Sequence, residues 1–177
     1  LVADPHRSED GRVEANLVGS RGCPFNCSFC GAAVSANPDV TIRMRSPENI
    51  LAEIDLLRRE HAVNVYRFVD DLFLANPSFT KRMSSAFRSL TPTRSVLWKA
   101  TGRINVLAKM SDTDLRDLRD AGCCELAIGL ESGSARVLKH IDKHTTPELS
   151  RGVVERLTRA GIGVKGYFIL GLPTETR

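Results

Sequence analysis

Two apolar rhythms alternate along this chain. Short continuous apolar runs give way to stretches where apolar residues return every three or four positions, and the exchange repeats to the end. Residues 13–19 read as a first strand. From Ser46 the rhythm becomes helical: Ser46 can cap, Pro47 suits the first helical position, and Ile50, Ile54 and Leu57 share a face. Residues 63–69 read as a buried strand ended by Asp70-Asp71. Asn76-Pro77 repeats the cap-and-proline start, with Phe79, Met83, Ala86, Phe87 and Leu90 on one stripe. Residues 95–100 form a third predicted strand, followed by Thr101-Gly102-Arg103. Ser111, with Asp114 three residues on, opens a helix through Leu115, Leu118 and Ala121 that Gly122 closes. Residues 123–130 are a fourth strand running into Glu131-Ser132-Gly133-Ser134, and a short helix over 135–141 follows. Thr146-Pro147-Glu148 starts a helix with Leu149, Val153, Leu157 and Ala160 inside and Gly161 at its end. Residues 162–170 are a fifth strand, ending in Gly171-Leu172-Pro173-Thr174-Glu175.

Connections of this length cannot be hairpins, so the alternation implies right-handed βαβ units and a parallel α/β sheet. A doubly wound open sheet is the rival architecture. Against it, the first strand–helix junction carries cysteines, where such folds carry a glycine-rich phosphate loop. Residues 1–12 are polar and read as an irregular lead-in; Asp4-Pro5-His6 falls short of a D-x-H-x-x-G cobalamin motif because Glu9 stands where glycine is needed. The 177 residues suit one domain with a sizeable core. A chain that begins with Leu and ends at Arg177 reads as a piece of a longer protein.

Composition narrows the function classes. With 42% hydrophobic and 26% charged residues the chain is ordinary for a globular protein, and no apolar run is long enough to span a bilayer. The net charge of +4 is mild and dispersed, which favours a solvated surface over a nucleic-acid interface. Five cysteines in a chain this long are no disulfide framework and fit a reducing cytoplasm. Adjacent Cys123 and Cys124 read as small buried residues at a strand start. His61, His140 and His144 have no ligand spacing with the cysteines.

The densest chemistry lies in Cys23-Pro24-Phe25-Asn26-Cys27-Ser28-Phe29-Cys30, a C-x3-C-x2-C array between Gly22 and Gly31. Three thiolates on one tight loop can converge on one metal centre, and thiolates suit zinc and iron–sulfur clusters. Structural zinc and electron-transfer clusters take four protein ligands, and no fourth Cys or His follows closely. Three ligands on a four-iron cluster leave one iron open to a substrate. A zinc knuckle, or cysteines unconnected in the core, are the alternatives. In parallel α/β folds ligands gather at the carboxyl ends of strands. Those ends hold the cysteine loop, Asp70-Asp71, Arg103, Glu131-Ser132 and residues 171–175.

These segments resemble the radical S-adenosylmethionine (SAM) superfamily, closest to the branch holding MiaB-like methylthiotransferases, Elp3-like proteins and cobalamin-binding enzymes. The likeness rests on residues 20–30, on 121–134 and on 167–176, and spans nearly the whole chain. It implies a partial (β/α)6 TIM-like barrel whose last strand lies beyond Arg177. It implies that Cys23, Cys27 and Cys30 hold a 4Fe–4S cluster, with Phe29 near the SAM adenine. Asp70-Asp71 stands where a Gly-Gly-Glu-type motif would receive the SAM ammonium. Arg103 would pair with the SAM carboxylate, Glu131 and Ser132 with the ribose hydroxyls or methionyl end, and Ile169 to Gly171 would lie along the adenine. Tyr167 replaces the glycine usual in that last motif. The implied activity is reductive cleavage of SAM to a 5′-deoxyadenosyl radical, with flavodoxin or ferredoxin as electron donor. Within the branch, Phe68-Val69-Asp70-Asp71-Leu72-Phe73 looks most like cobalamin-dependent methyltransferases or cyclases, the cobalamin held by a domain outside these residues. A tRNA or protein methylthiotransferase is the runner-up, and a non-catalytic zinc or iron–sulfur module is the alternative of another class.

Overall fold

A computed structural model describes residues 5–33, 39, 42–90 and 96–176. Residues 1–4 of the polar lead-in, Ser95 and Arg177 lie outside them. Five strands run parallel: β2 (Val13–Leu17), β5 (Val65–Phe68), β6 (Leu97–Gly102), β7 (Cys123–Glu131) and β8 (Gly163–Phe168). β1 (His6–Arg7), inside the stretch expected to be irregular, pairs antiparallel with β2 at the sheet edge. A second small sheet pairs β3 (Ser20–Arg21) with β4 (Arg43–Met44). The large sheet has the order β1-β2-β5-β6-β7-β8. Each new parallel strand is added on the same side, without the reversal that defines a doubly wound sheet, so the sheet curls as an open half-barrel.

The helices follow their predicted caps. α1 (Pro47–His61) begins where the Ser46 side chain accepts from the Asn49 amide. α2 (Pro77–Leu90) begins where Asn76 Oδ1 accepts from the Phe79 amide. The four-residue α3 (Ile104–Leu107) follows β6 directly. α4 (Asp112–Asp120) has a full capping box between Ser111 and Asp114. α5 (Ala135–His140) and α6 (Pro147–Arg159) start from Ser134 and Thr146. After α4 the chain turns through Gly122 at φ +92°, where a Cβ would lie 2.0 Å from the Val96 carbonyl oxygen, so only glycine fits.

One face of the sheet is apolar. Ile50, Ile54 and Leu57 of α1, Phe79, Met83 and Phe87 of α2, Leu115 and Leu118 of α4, and Val153 and Leu157 of α6 share a core with Tyr66, Phe68, Trp98, Leu126 and Ile128. Phe68 stacks on Phe73 with centroids 4.1 Å apart, and Phe87 on Trp98 at 5.4 Å. Polar groups in this core are paired: Trp98 Nε1 donates to the Ala121 carbonyl, and the Tyr66 hydroxyl to that of Val63. Burial pushes the Tyr66 pKa up to about 12. The concave face is charged instead. Glu14 accepts from Arg67 and Lys99, each at 2.6 Å, and Arg67 also reaches Glu125 at 3.4 Å. Burial alone would raise the Glu14 pKa, but hydrogen bonds from Lys99 and Arg67 hold it below the ordinary glutamate value.

Candidate active site

The cysteine loop leaves β3 and returns at β4, so pairing of those short strands fastens its two ends. Its base is held by Asp70, which is only 4% exposed. The Asp70 carboxylate accepts from the Gly19 and Ser20 amides and from the Ser20 hydroxyl. Burial raises the Asp70 pKa, against the pull of those donors. Asp71 faces differently: its Oδ2 accepts from the Gly22 amide at 3.1 Å, immediately before Cys23. The far side of the loop is tied down where the Ser28 amide donates to the Ile141 carbonyl at 3.1 Å.

Residues 23–30 of this loop lie over the carboxyl ends of the parallel strands and, with those ends, line a cavity of about 190 Å³. Cys23, Cys27 and Cys30 all line it, together with Phe29, Asp71, Arg103, Glu131, Lys143 and Tyr167. Cys27 is buried and its two companions half-buried. Burial pushes the Cys23 thiol up, while a hydrogen bond from the Phe25 backbone and the Arg103 charge pull it back. Among the described residues no three His, Cys, Asp or Glu side chains gather closely enough for a single metal ion. A four-iron cluster asks for something different, since each thiolate bonds a separate iron and the sulfurs stand further apart. Three cysteines around one cavity, with cations beside them to offset the charge of the thiolates, fit that group.

Arg103 is 6% exposed and clamped on all sides. Its Nη1 donates to Cys27 Sγ at 2.8 Å, its Nη2 to the Lys143 carbonyl at 2.6 Å and its Nε to Asn105 Oδ1 at 2.9 Å. Its guanidinium also lies 4.0 Å from the Phe25 ring centroid. Glu131, at φ +60°, folds back to meet Lys143, whose Nζ lies 2.5 Å from Glu131 Oε1. Phe29 is 40% exposed, with Lys143 Nζ 5.8 Å from its ring centroid.

The predicted set therefore divides. Cys23, Cys27, Cys30, Phe29, Asp71, Arg103 and Glu131 share one cavity. Asp70 lies behind it as the anchor of the loop. Ser132 turns toward α5, its Oγ accepting from the Ser134 amide. Ile169 donates its amide to the Glu131 carbonyl and packs beside Val137, Leu138, Ile141 and Leu172. Gly171, at φ +79°, donates its amide to Glu175 Oε2. Sequence reasoning does not find Lys143 or Phe25. Lys143 sits in a polar loop with no periodic signal; the hint is a glutamate at the end of a buried strand, which requires a cation. A larger cavity of about 660 Å³ lies among α2, α3 and α4, and Phe25 lines both it and the cysteine cavity.

The family model described as Radical SAM superfamily matches residues 17–177. An uncharacterized methyltransferase of Pyrococcus horikoshii is 30% identical over 177 residues, all of this chain and 37% of that protein. The anaerobic magnesium-protoporphyrin IX monomethyl ester cyclase of Rubrivivax gelatinosus is 29% identical over 160 residues, 89% of this chain and 27% of its own length. Among solved structures, the cobalamin-dependent SAM radical enzyme OxsB, with aqua-cobalamin and SAM bound, superposes with a TM-score of 0.73 at 22% identity, covering 88% of this chain and 23% of that one. The chain thus spans about a third of the length of these relatives.

Proposed function

Because the chain belongs to the radical SAM superfamily, we propose that its cysteine cavity holds a 4Fe–4S cluster and SAM, and that the protein cleaves SAM reductively. The observation that carries this is the convergence of Cys23, Cys27 and Cys30 on one cavity at the carboxyl ends of the parallel strands, beside paired acids and cations. When bound, the cluster supplies one electron to SAM, releasing methionine and a 5′-deoxyadenosyl radical. The chain's own residues bind, orient and shield. The three cysteines would ligate three irons. Asp71 would take the SAM ammonium, since Asp70 is committed to Gly19 and Ser20. Glu131 would meet the ribose or the methionyl end, with Ser132 behind it. Phe29 would cover the adenine, and the backbone over residues 169–171 would run along it. Among the described residues Arg103 and Lys143 are the cations that line this cavity, and the SAM carboxylate would pair with one of them.

For the whole protein we propose a radical-mediated transfer, with methyl transfer through cobalamin held by another part of the chain as the main reading. The methyltransferase name of the Pyrococcus relative supports the methyl transfer. The cyclase name of the Rubrivivax relative favours a second reading, a ring-forming reaction begun by the same radical. A low-potential flavodoxin or ferredoxin is the donor such chemistry calls for, in a cytoplasmic setting. The test is incubation of the intact, anaerobically reconstituted protein with SAM and a strong reductant. Formation of 5′-deoxyadenosine that Cys27→Ala abolishes supports the reading. Its absence from fully loaded protein, with substrate candidates present, overturns it.

A further inference from the structure

We infer that Arg103 serves the cluster rather than SAM, raising the cluster's reduction potential through its bond to Cys27. The inference rests on the cluster assignment proposed above. Arg103 stands at the junction of β6 and α3, where its carbonyl accepts from the Val106 and Leu107 amides, so its backbone is fixed. From there its side chain reaches the most buried of the three candidate ligands, Cys27, at 5% exposure. Nη1 donates to the sulfur at 2.8 Å. The other two nitrogens are tied to Lys143 and Asn105, and Phe25 covers one face of the plane. A guanidinium waiting for a carboxylate would present an open fork. This one is held with its fork divided between a sulfur and a carbonyl.

The consequence follows from electrostatics. Reduction adds one electron from a low-potential donor to the cluster, with no bond made or broken, and part of the added charge falls on the ligating sulfurs. A permanent cation donating to one of those sulfurs in a poorly hydrated site stabilises the reduced form more than the oxidised one. Arg103 therefore makes the electron easier to accept. The SAM carboxylate then falls to Lys143, the other cation among the described residues that line the cavity.

The test is an EPR-monitored redox titration of the intact reconstituted protein without SAM, for wild type, Arg103→Lys and Arg103→Gln, with iron and sulfide quantified. SAM affinity is measured in parallel on the oxidised forms. Arg103→Gln is expected to lower the reduction equilibrium about tenfold, or about 59 mV for one electron. Arg103→Lys, which keeps the charge but loses the fork, is expected to shift less in the same direction. SAM affinity should change by less than about threefold in either variant. An unchanged potential with SAM affinity reduced tenfold or more would make Arg103 a SAM clamp and overturn the inference. Loss of the cluster from both variants would make it a loop anchor and overturn the inference as well. A wild-type chain without a 4Fe–4S signal would instead overturn the cluster assignment itself.

Discussion

Lys143 Nζ and Glu131 Oε1 lie 2.5 Å apart, each side chain only 8% exposed, and Gly129 makes the room for them. A Cβ on Gly129 would stand 2.1 Å from Glu131 Oε1 and 2.8 Å from Lys143 Nζ. The strand therefore has to lose its side chain two residues before the glutamate so that the glutamate can fold back over it. In the absence of a ligand, each buried charge is balanced by the other.

That relationship predicts a coupling. Lys143→Met leaves a buried carboxylate without its cation and should lower stability by about 3–5 kcal/mol. Glu131→Gln combined with Lys143→Met should cost clearly less than the sum of the two single variants. Urea unfolding of the four species measures the cycle; simple additivity would mean the two side chains do not depend on each other.

Asp70 and Asp71 should separate by phenotype. Asp70→Asn turns one acceptor oxygen into a donor facing the Gly19 and Ser20 donors, and should cost about 1–3 kcal/mol of stability. Asp71→Asn should leave the unfolding midpoint nearly unchanged while weakening SAM binding. Thermal unfolding and SAM titration of both proteins distinguish them, and the opposite pattern would exchange their roles.

Glu14 predicts a pH dependence. Its folded pKa is depressed by Lys99 and Arg67, so its contribution is fully present above the ordinary glutamate value and is lost as pH falls through the depressed one. Glu14→Gln should be less stable than wild type near neutrality, and the gap should narrow between about pH 5 and pH 3. Paired urea midpoints across that range test it; a constant gap would mean the Glu14 contribution is not ionic.

The fold was legible where patterns run long. The caps at Ser46, Asn76, Ser111 and Thr146 and the apolar runs that became β5 to β8 set the βαβ order, because burial of one face imposes a period on the chain. The pairs His6–Arg7 and Ser20–Arg21 with Arg43–Met44 are two residues long, too short to carry any period. The cysteines and Asp71 could be placed because they directly follow strands. Lys143 could not, since it reaches the cavity only through the fold of a loop. Asp70 and Asp71 are neighbours in sequence, and only their opposite directions at the strand end reveal which one faces the cysteines.

The ligand set predicts a selective loss. Replacing Cys23, Cys27 or Cys30 by Ala should remove the cluster's visible absorption and most of the iron. Replacing Cys123 and Cys124 together should leave both intact, because Cys123 is wholly buried in the core and the Cys124 thiol donates to the Trp98 carbonyl. Iron and sulfide analysis after anaerobic reconstitution checks this, and cluster loss in the Cys123/Cys124 variant would mean the ligands are assigned wrongly.

The most direct test is the EPR spectrum of the reduced, reconstituted intact protein before and after SAM is added. Three protein thiolates leave one iron open, so SAM should bind that iron and change the shape and g-values of the signal, and Asp71→Asn should raise the SAM concentration needed. A spectrum that stays the same at saturating SAM would show that no iron is accessible to it, and would contradict the proposed site.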